Sequence, residues 1–189
     1  PSVATSYNNI GGVHFNKGDN DKALAHYQKA LALQLKQLGQ EHLEVARSYN
    51  NIGTVHEKKG EYDHALEYYQ KSLAIYLKKL GQEHPHVATS YNNIGTGFDN
   101  KGEYGKALEH HQKALAIRLK QLGPEHPDVA TSYNNIGLVH AKKGEYDKAL
   151  EHYQKALAIR LKKLGPEHPS VARSYNNIGE VHRKKGEYD

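Results

Sequence analysis

The chain has 189 residues, a formal net charge of +5 and no cysteine. The absence of cysteine excludes disulfides and every zinc site built on thiolates. Its longest apolar runs, such as Ala30-Leu31-Ala32-Leu33, are far shorter than the roughly 20 residues that cross a bilayer, so no membrane segment or membrane partner is predicted.

One hexapeptide, Ser-Tyr-Asn-Asn-Ile-Gly, occurs five times at intervals of 42 residues. A fixed period of this length indicates one supersecondary unit that has been copied, with each copy burying an apolar face against the next. The sequence therefore predicts a single domain over residues 1–189, made of four complete copies and a half copy that acts as a cap. In chain order the copies are 1–42, 43–84, 85–126, 127–168 and 169–189.

Each complete copy predicts two helices, and the fourth copy shows them most clearly. In its first half the apolar residues follow helical spacing between Pro127, a favourable first-turn residue, and Gly144, a helix stop. The second half keeps apolar spacings of three and four residues up to Gly165. We therefore predict helix A over residues 127–143 and helix B over residues 146–164.

Small residues in both helices predict a close contact between them. Gly137 lies inside helix A, where glycine costs roughly 1 kcal/mol relative to alanine. Ala149 and Ala156 are small residues on the apolar stripe of helix B. We expect these positions to let the two backbones approach while Tyr153 fills the remaining space.

A known repeat signature resembles this copy. The signature is that of tetratricopeptide repeats, and the matching residues are Tyr133-x-x-Ile136-Gly137-x-x-His140 followed by Ala149-x-x-x-Tyr153. The usual period is about 34 residues, so a helix B about two turns longer is expected here. Leucine also stands where a proline normally ends helix B, at Leu35, Leu77, Leu119 and Leu161.

The longer unit is similar to the repeats of kinesin light chains and of nephrocystin-3-like arrays. This resemblance implies an all-α, right-handed solenoid of antiparallel helix pairs. It also implies a non-enzymatic role in binding a protein or peptide partner, and a cytoplasmic location, which the absence of cysteine suits.

In the tetratricopeptide fold helix A lines an inner groove, so the resemblance places the asparagine pairs of helix A along that groove. An amide both donates and accepts hydrogen bonds, and a row of amides suits the backbone of an extended peptide. Neighbouring positions that vary between copies would carry selectivity. The candidate partner-binding residues are therefore Asn8, Asn9, Arg47, Asn50, Asn51, Thr54, Asn92, Asn93, Thr96, Asn134, Asn135, Leu138, Arg173, Asn176 and Asn177.

Two alternatives remain open from the sequence. One asparagine of each pair could bond to the neighbouring copy and so hold the superhelix. At the level of whole molecules, the half copy 169–189 keeps the apolar stripe of an internal copy, which allows end-to-end self-assembly of the repeats between molecules as an alternative function.

Metals, cofactors, catalysis and nucleic acid are not predicted. One histidine stands at the same joint of each copy, so these side chains are spread along the array and are expected to cap helices or lie at the surface. His140 and its counterparts lie on the apolar stripe and are expected to be core imidazoles. The chain has no thiol nucleophile or phosphate-binding glycine loop, and basic residues stand beside acidic ones without an aromatic stacking platform.

The third copy departs most from the others. Gly97 and Phe98 replace a Val-His pair, and His111 stands where Tyr27, Tyr69 or Tyr153 stands in the other copies. Lost side-chain volume and a glycine inside a helix predict that this copy is less stable than its neighbours.

Overall fold

The computed structural model describes residues 2–187, which form nine α-helices and no strand. The helices are α1 Val3–Asn16, α2 Asn20–Leu38, α3 Leu43–Lys58, α4 Tyr62–Leu80, α5 Pro85–Asn100, α6 Tyr104–Leu122, α7 Pro127–Lys142, α8 Tyr146–Leu164 and α9 Pro169–Lys185. Odd-numbered helices are helix A of successive copies, and even-numbered helices are helix B. Residue 1 and residues 188–189, at the outer ends of the first and last predicted copies, lie outside the described residues. Within the described part of the chain, no helix combines the length and apolarity needed to cross a membrane.

The helices α3, α5, α7 and α9 begin at a histidine cap. In each case the histidine Nδ1 accepts a hydrogen bond, at 3.1 to 3.2 Å, from the backbone N–H two residues further on. This bond satisfies one of the N–H groups that the first turn of a helix leaves without an intrahelical partner. The capping role is confirmed for His42, His84, His126 and His168.

Glycines end both helices of the fourth copy. Gly144 follows α7 and Gly165 follows α8, with φ of 77° and 80°. Side chains of other residues are strained in this region, so glycine allows the chain to leave the helix without a steric penalty. The helices predicted over 127–143 and 146–164 are confirmed, the first to within one residue.

Each A helix packs against the B helix that follows it, across a turn of three residues. In the fourth copy, a Cβ built on Gly137 would stand 2.8 Å from Cδ1 of Tyr153 and 3.2 Å from the carbonyl oxygen of Ala149. The absence of a side chain on Gly137 therefore makes room for the Tyr153 ring. The close approach predicted from the small residues is confirmed.

Each B helix also packs against the A helix of the next copy, so the apolar core continues along the array. One cluster shows this at the junction of the second and third copies, where its buried members are Val45, Ala46, Ile75, Tyr76 and Val87. Because short turns join consecutive packed helices, neighbouring helices run antiparallel. The predicted all-α solenoid of helix pairs is confirmed.

The third copy is packed more tightly at two positions than the sequence led us to expect. A Cβ built on Gly97 would stand 2.8 Å from Cδ2 of Leu66, so the Leu66 side chain occupies the space that a larger residue would need. Phe98 joins Leu66 and Tyr69 in one buried cluster. His111 is different, because it is buried and its Nδ1 has no hydrogen-bond partner among residues 2–187.

Candidate partner-binding cleft

The asparagine pairs of the A helices form hydrogen bonds between copies. In each bond, the Nδ2 of the second asparagine of one copy donates to the Oδ1 of the first asparagine of the preceding copy. The donor and acceptor are, in chain order, Asn93 and Asn50 at 2.9 Å, Asn135 and Asn92 at 2.9 Å, and Asn177 and Asn134 at 3.1 Å.

In the third and fourth copies, both members of the pair therefore help to hold the copies together, in opposite directions along the array. Asn92 accepts from the following copy, and Asn93 donates to the preceding one. This answers the alternative left open by the sequence, in which one member of each pair had this role. Half of each amide stays unused: among the described residues, the Nδ2 of Asn50 and the Oδ1 of Asn93 have no hydrogen-bond partner.

Asn8 departs from this pattern and corrects the candidate set. Its side chain is buried, with 6% of the residue exposed. The Nδ2 of Asn8 donates to the Oγ of Ser48 at 3.2 Å, and the same hydroxyl lies 2.6 Å from the Oε1 of Gln34. Because the first two copies enclose this amide, a partner cannot reach it.

Most other candidates are accessible. The hydroxyls of Thr54 and Thr96 donate to the backbone carbonyls of Asn50 and Asn92, at 3.0 and 3.1 Å. These two threonines and Asn51 are half-buried. The exposed candidates are Asn9, Arg47, Leu138, Arg173 and Asn176.

One position of helix B lies beside the asparagines, and the sequence interpretation missed it. At the third and fourth copies it carries arginine. The Nη1 of Arg118 donates to the Oγ of Ser132 at 2.8 Å, and the Nη1 of Arg160 donates to the Oγ of Ser174 at 2.7 Å. Burial lowers the pKa of both guanidinium groups. In chain order the position holds Gln34, Tyr76, Arg118 and Arg160, and this variation on helix B is the signal that could have revealed it.

A cleft opens where tyrosine takes the place of these arginines. It lies between α3 and α5, with Tyr76 of α4 at its wall, and has a volume of about 420 Å³. We call it the α3–α5 cleft. The cavity beside Arg118, between the third and fourth copies, measures about 40 Å³. Of the predicted binding residues, the cleft brings together Arg47 and Asn50, and its other lining residues include Tyr76, His86, Thr89 and Ser90.

A buried hydroxyl at this cleft has no partner. Ser90 is 1% exposed, and its Oγ forms no hydrogen bond within the described residues. The equivalent serines at the other junctions bond to Gln34, Arg118 and Arg160. An unsatisfied buried polar group costs about 1–3 kcal/mol, so a ligand that reaches Ser90 would recover that free energy.

The cleft combines an aromatic wall with a polar rim. The rings of Tyr76 and His86 stack with their centroids 5.0 Å apart. Burial raises the pKa of Tyr76 and lowers the pKa of His86, so both side chains are neutral near neutral pH. Arg47 forms an exposed ion pair with Glu44 at the rim. An apolar pocket with a few convergent polar groups is the usual form of a ligand site.

The histidines on the apolar stripe of the A helices have carboxylate partners. His56 and His140 are buried, and their Nδ1 atoms lie 2.5 and 2.6 Å from the Oε2 atoms of Glu61 and Glu145, as expected for satisfied core imidazoles. The same expectation is wrong for His14 and His182, which are only half-buried because α1 and α9 each pack mainly against one B helix among the described residues. In the second copy His64 joins the pair, and ligand atoms of His56, Glu61 and His64 all lie within 4.8 Å of one another. Imidazole and carboxylate groups are ligands of divalent transition metals, and the sequence interpretation did not anticipate this cluster.

Known proteins share this architecture. BtubC (BKLC) from P. vanneervenii has a similar structure, with a TM-score of 0.82 and 25% identity over 94% of this chain and 71% of that chain. A kinesin light chain-type protein of Podosopora anserina with nearly identical TPR-like repeats has a TM-score of 0.81 and 25% identity over 96% of this chain and 86% of that chain. No curated protein sequence matches the chain.

The sequence profile of the tetratricopeptide repeat matches four overlapping segments, residues 2–78, 50–120, 86–162 and 128–189. Together these segments include every copy of the 42-residue unit. The resemblance to tetratricopeptide repeats and to kinesin light chains is thereby confirmed. This chain belongs to the tetratricopeptide repeat family.

Proposed function

We propose that the chain is a non-catalytic interaction scaffold that binds an extended peptide segment of a partner protein in the α3–α5 cleft. Solenoid repeats present long surfaces of this kind to partners. The observation that carries the proposal is the unpartnered hydroxyl of Ser90 at a cleft of about 420 Å³, where the other junctions place a glutamine or arginine side chain.

The lining of the cleft defines the peptide that fits it. The Nδ2 of Asn50 and the Ser90 hydroxyl suit backbone carbonyl groups of an extended chain. The Tyr76 ring provides an apolar contact for one side chain of the peptide. Arg47 at the rim suits a nearby carboxylate, which would compete with Glu44 for the guanidinium. The proposed ligand is therefore an extended segment with one apolar side chain and an acidic residue beside it.

The substitution Tyr76→Arg tests this proposal. It introduces the residue found at Arg118 and Arg160, whose guanidinium would reach Ser90 and fill the cleft. Peptides would first be selected by display against the unaltered chain, and their affinities measured by fluorescence anisotropy. We expect Tyr76→Arg to weaken them at least about tenfold, because each lost hydrogen bond to a buried polar group costs about 1–3 kcal/mol.

Two further variants complete the test. Arg47→Ala should also weaken peptides that carry the acidic residue, whereas Thr131→Ala, at the same helix position two copies later, should leave affinity unchanged. Circular dichroism should show unchanged helicity in Tyr76→Arg, because the third and fourth copies carry arginine at this position within the same helix. Selected peptides that bind Tyr76→Arg as tightly as the unaltered chain would exclude this cleft. Substituting the asparagines is a poorer test, because it also breaks bonds between copies.

A second candidate function is self-association, which a specific surface favours. Val3, Ile10 and Val13 share one face of α1 and are 64%, 42% and 53% exposed. These residues occupy the flank where a preceding helix would pack in an internal copy. The proposed partner of this face is a second copy of the chain, stacked end to end on the first.

Sedimentation velocity over a wide concentration series tests self-association. If molecules stack, the sedimentation coefficient should rise with concentration, and Ile10→Lys should abolish the rise because it places a charge in the apolar contact. A concentration-independent monomer would refute this candidate and leave the peptide-binding proposal intact.

Two further expectations from the sequence stay predictions. Nucleic-acid binding is not expected, since lysines such as Lys59 and Lys101 are engaged by carboxylates of their own and the preceding copy. The cytoplasmic location rests on the family resemblance and on the absence of cysteine.

A further inference from the structure

A cluster of metal-ligating groups lies at the turn between α3 and α4, away from the α3–α5 cleft. His56 is buried near the end of α3, Glu61 is half-buried in the turn, and His64 is exposed in the first turn of α4. The Nδ1 of His56 lies 2.5 Å from the Oε2 of Glu61. One ligand atom from each of the three residues lies within 4.8 Å of the others.

The geometry suits a small divalent ion. Zn²⁺ binds imidazole nitrogen and carboxylate oxygen at about 2.0–2.2 Å, so its ligand atoms stand about 3.3 Å apart in a tetrahedron. The separation of 2.5 Å between His56 and Glu61 is shorter than that value, and no two of the three ligand atoms are more than 4.8 Å apart. His64 is exposed and near a helix start, so a change of its side-chain rotamer is enough to close the set. The buried imidazole of His56 provides the fixed ligand.

The other copies show why the second copy is special. In the fourth copy His140 and Glu145 form the same pair, but Lys148 stands where His64 stands. The Nζ of Lys148 lies 3.4 Å from the Oε2 of Glu145, so a fixed positive charge occupies the place of a metal ligand. The first and third copies also carry lysine at this position, at Lys22 and Lys106.

We propose that His56, Glu61 and His64 bind one Zn²⁺ ion, with water at the fourth position. Two imidazoles and one carboxylate form a three-ligand set that leaves a tetrahedral ion one open site. In the fourth copy Lys148 offers no ligand at neutral pH and adds a second positive charge beside Glu145, whose other oxygen pairs with Lys143. In the second copy Lys59 pairs with Oε1 of Glu61, and Oε2 faces the two imidazoles. The proposed metal site shares no residue with the lining of the α3–α5 cleft, so ion binding and peptide binding can be tested separately.

Equilibrium dialysis against Zn²⁺ tests the proposal on the whole chain without an added histidine tag, near neutral pH. We expect one tightly bound ion per unaltered chain. His64→Lys, which copies the fourth repeat into the second, should weaken that binding at least about tenfold, because even second-shell partners alter metal affinity by about 10- to 100-fold. Circular dichroism would verify that this exposed substitution leaves helicity unchanged.

The fourth copy offers a matched gain of function. Lys148→His should raise the number of tightly bound ions from one to two, since His140 and Glu145 already lie as their counterparts do. In the unaltered chain Zn²⁺ should raise the thermal midpoint, and the rise should be absent in His64→Lys. Equal Zn²⁺ affinity in the unaltered chain and His64→Lys would overturn the proposal, as would the absence of a second ion in Lys148→His.

Discussion

Replacing Gly137 with alanine is expected to lower the free energy of unfolding by about 2 kcal/mol. The added Cβ would stand 2.8 Å from the Tyr153 ring and 3.2 Å from the backbone oxygen of Ala149. Overpacking costs about 1–3 kcal/mol, and this site lies at the upper end because the ring is buried and the oxygen belongs to the backbone. The better helix propensity of alanine returns at most about 1 kcal/mol.

Gly179 provides the matched control within the same chain. It ends the same hexapeptide in the half copy, but a Cβ built there meets nothing within 4 Å. Gly179→Ala is therefore expected to raise stability by up to about 1 kcal/mol, because only helix propensity changes. Urea unfolding followed by circular dichroism measures both variants. A shift of both midpoints in the same direction would contradict the assigned role of Gly137.

Acidification is expected to destabilise the chain through His111. This imidazole is 2% exposed and its Nδ1 has no hydrogen-bond partner within the described residues. Burial, together with the smaller effect of the nearby charges of Arg118 and His110, lowers the pKa of His111 from 6.5 to about 4. The folded state thus binds a proton less readily than the unfolded state, so protonation favours unfolding.

The pH range and the size of this loss of stability follow from the ordinary pKa of histidine, 6.5, and the pKa of His111 in the folded chain, about 4. Above pH 6.5 the side chain is neutral in both states and contributes no pH dependence. Stability falls as the pH drops below 6.5, and the loss levels off near pH 4. At about 1.4 kcal/mol per pKa unit, the total loss from this residue is about 3 kcal/mol, most of which has occurred by pH 4.

His111→Tyr isolates this contribution. Tyrosine occupies the same position as Tyr27, Tyr69 and Tyr153 in the other copies, each beside a glycine of helix A. Urea unfolding of both proteins across the acidic range should show the variant losing less stability, with a difference that grows by about 2–3 kcal/mol between neutral pH and pH 4. Groups such as His86 and His140 titrate in both proteins, so their contributions to the pH dependence cancel when the two stabilities are subtracted. A difference that does not change with pH would contradict the assignment.

The helices of this fold could be predicted because their signals are local. Pro127 at a first turn, Gly144 and Gly165 after the last turns, and apolar spacing between them determine where α7 and α8 begin and end. The same argument predicted the contact of Gly137 with helix B, since a glycine inside a helix indicates a neighbour too close for a side chain.

The site could be predicted only in part. Two of the predicted residues line the α3–α5 cleft. Arg47 was predicted because its position varies between copies, and Asn50 because it belongs to the repeated asparagine pairs. Tyr76 was missed because its role depends on how helix B of one copy packs against Ser90 of the next. Asn8 was assigned to a partner, but its actual neighbour Ser48 lies 40 residues further along the chain.

By itself, the sequence determined the period, the two-helix unit and the family. The period is read directly from the repeated hexapeptide, and the signals for the helices and the family lie within a few helical turns of one another. Only the tertiary structure decided which amides are used between copies, where the solenoid leaves a cleft, and which histidines meet a shared carboxylate. Those outcomes depend on the rotation and offset of packed helices, and residue spacing along the chain does not encode either quantity.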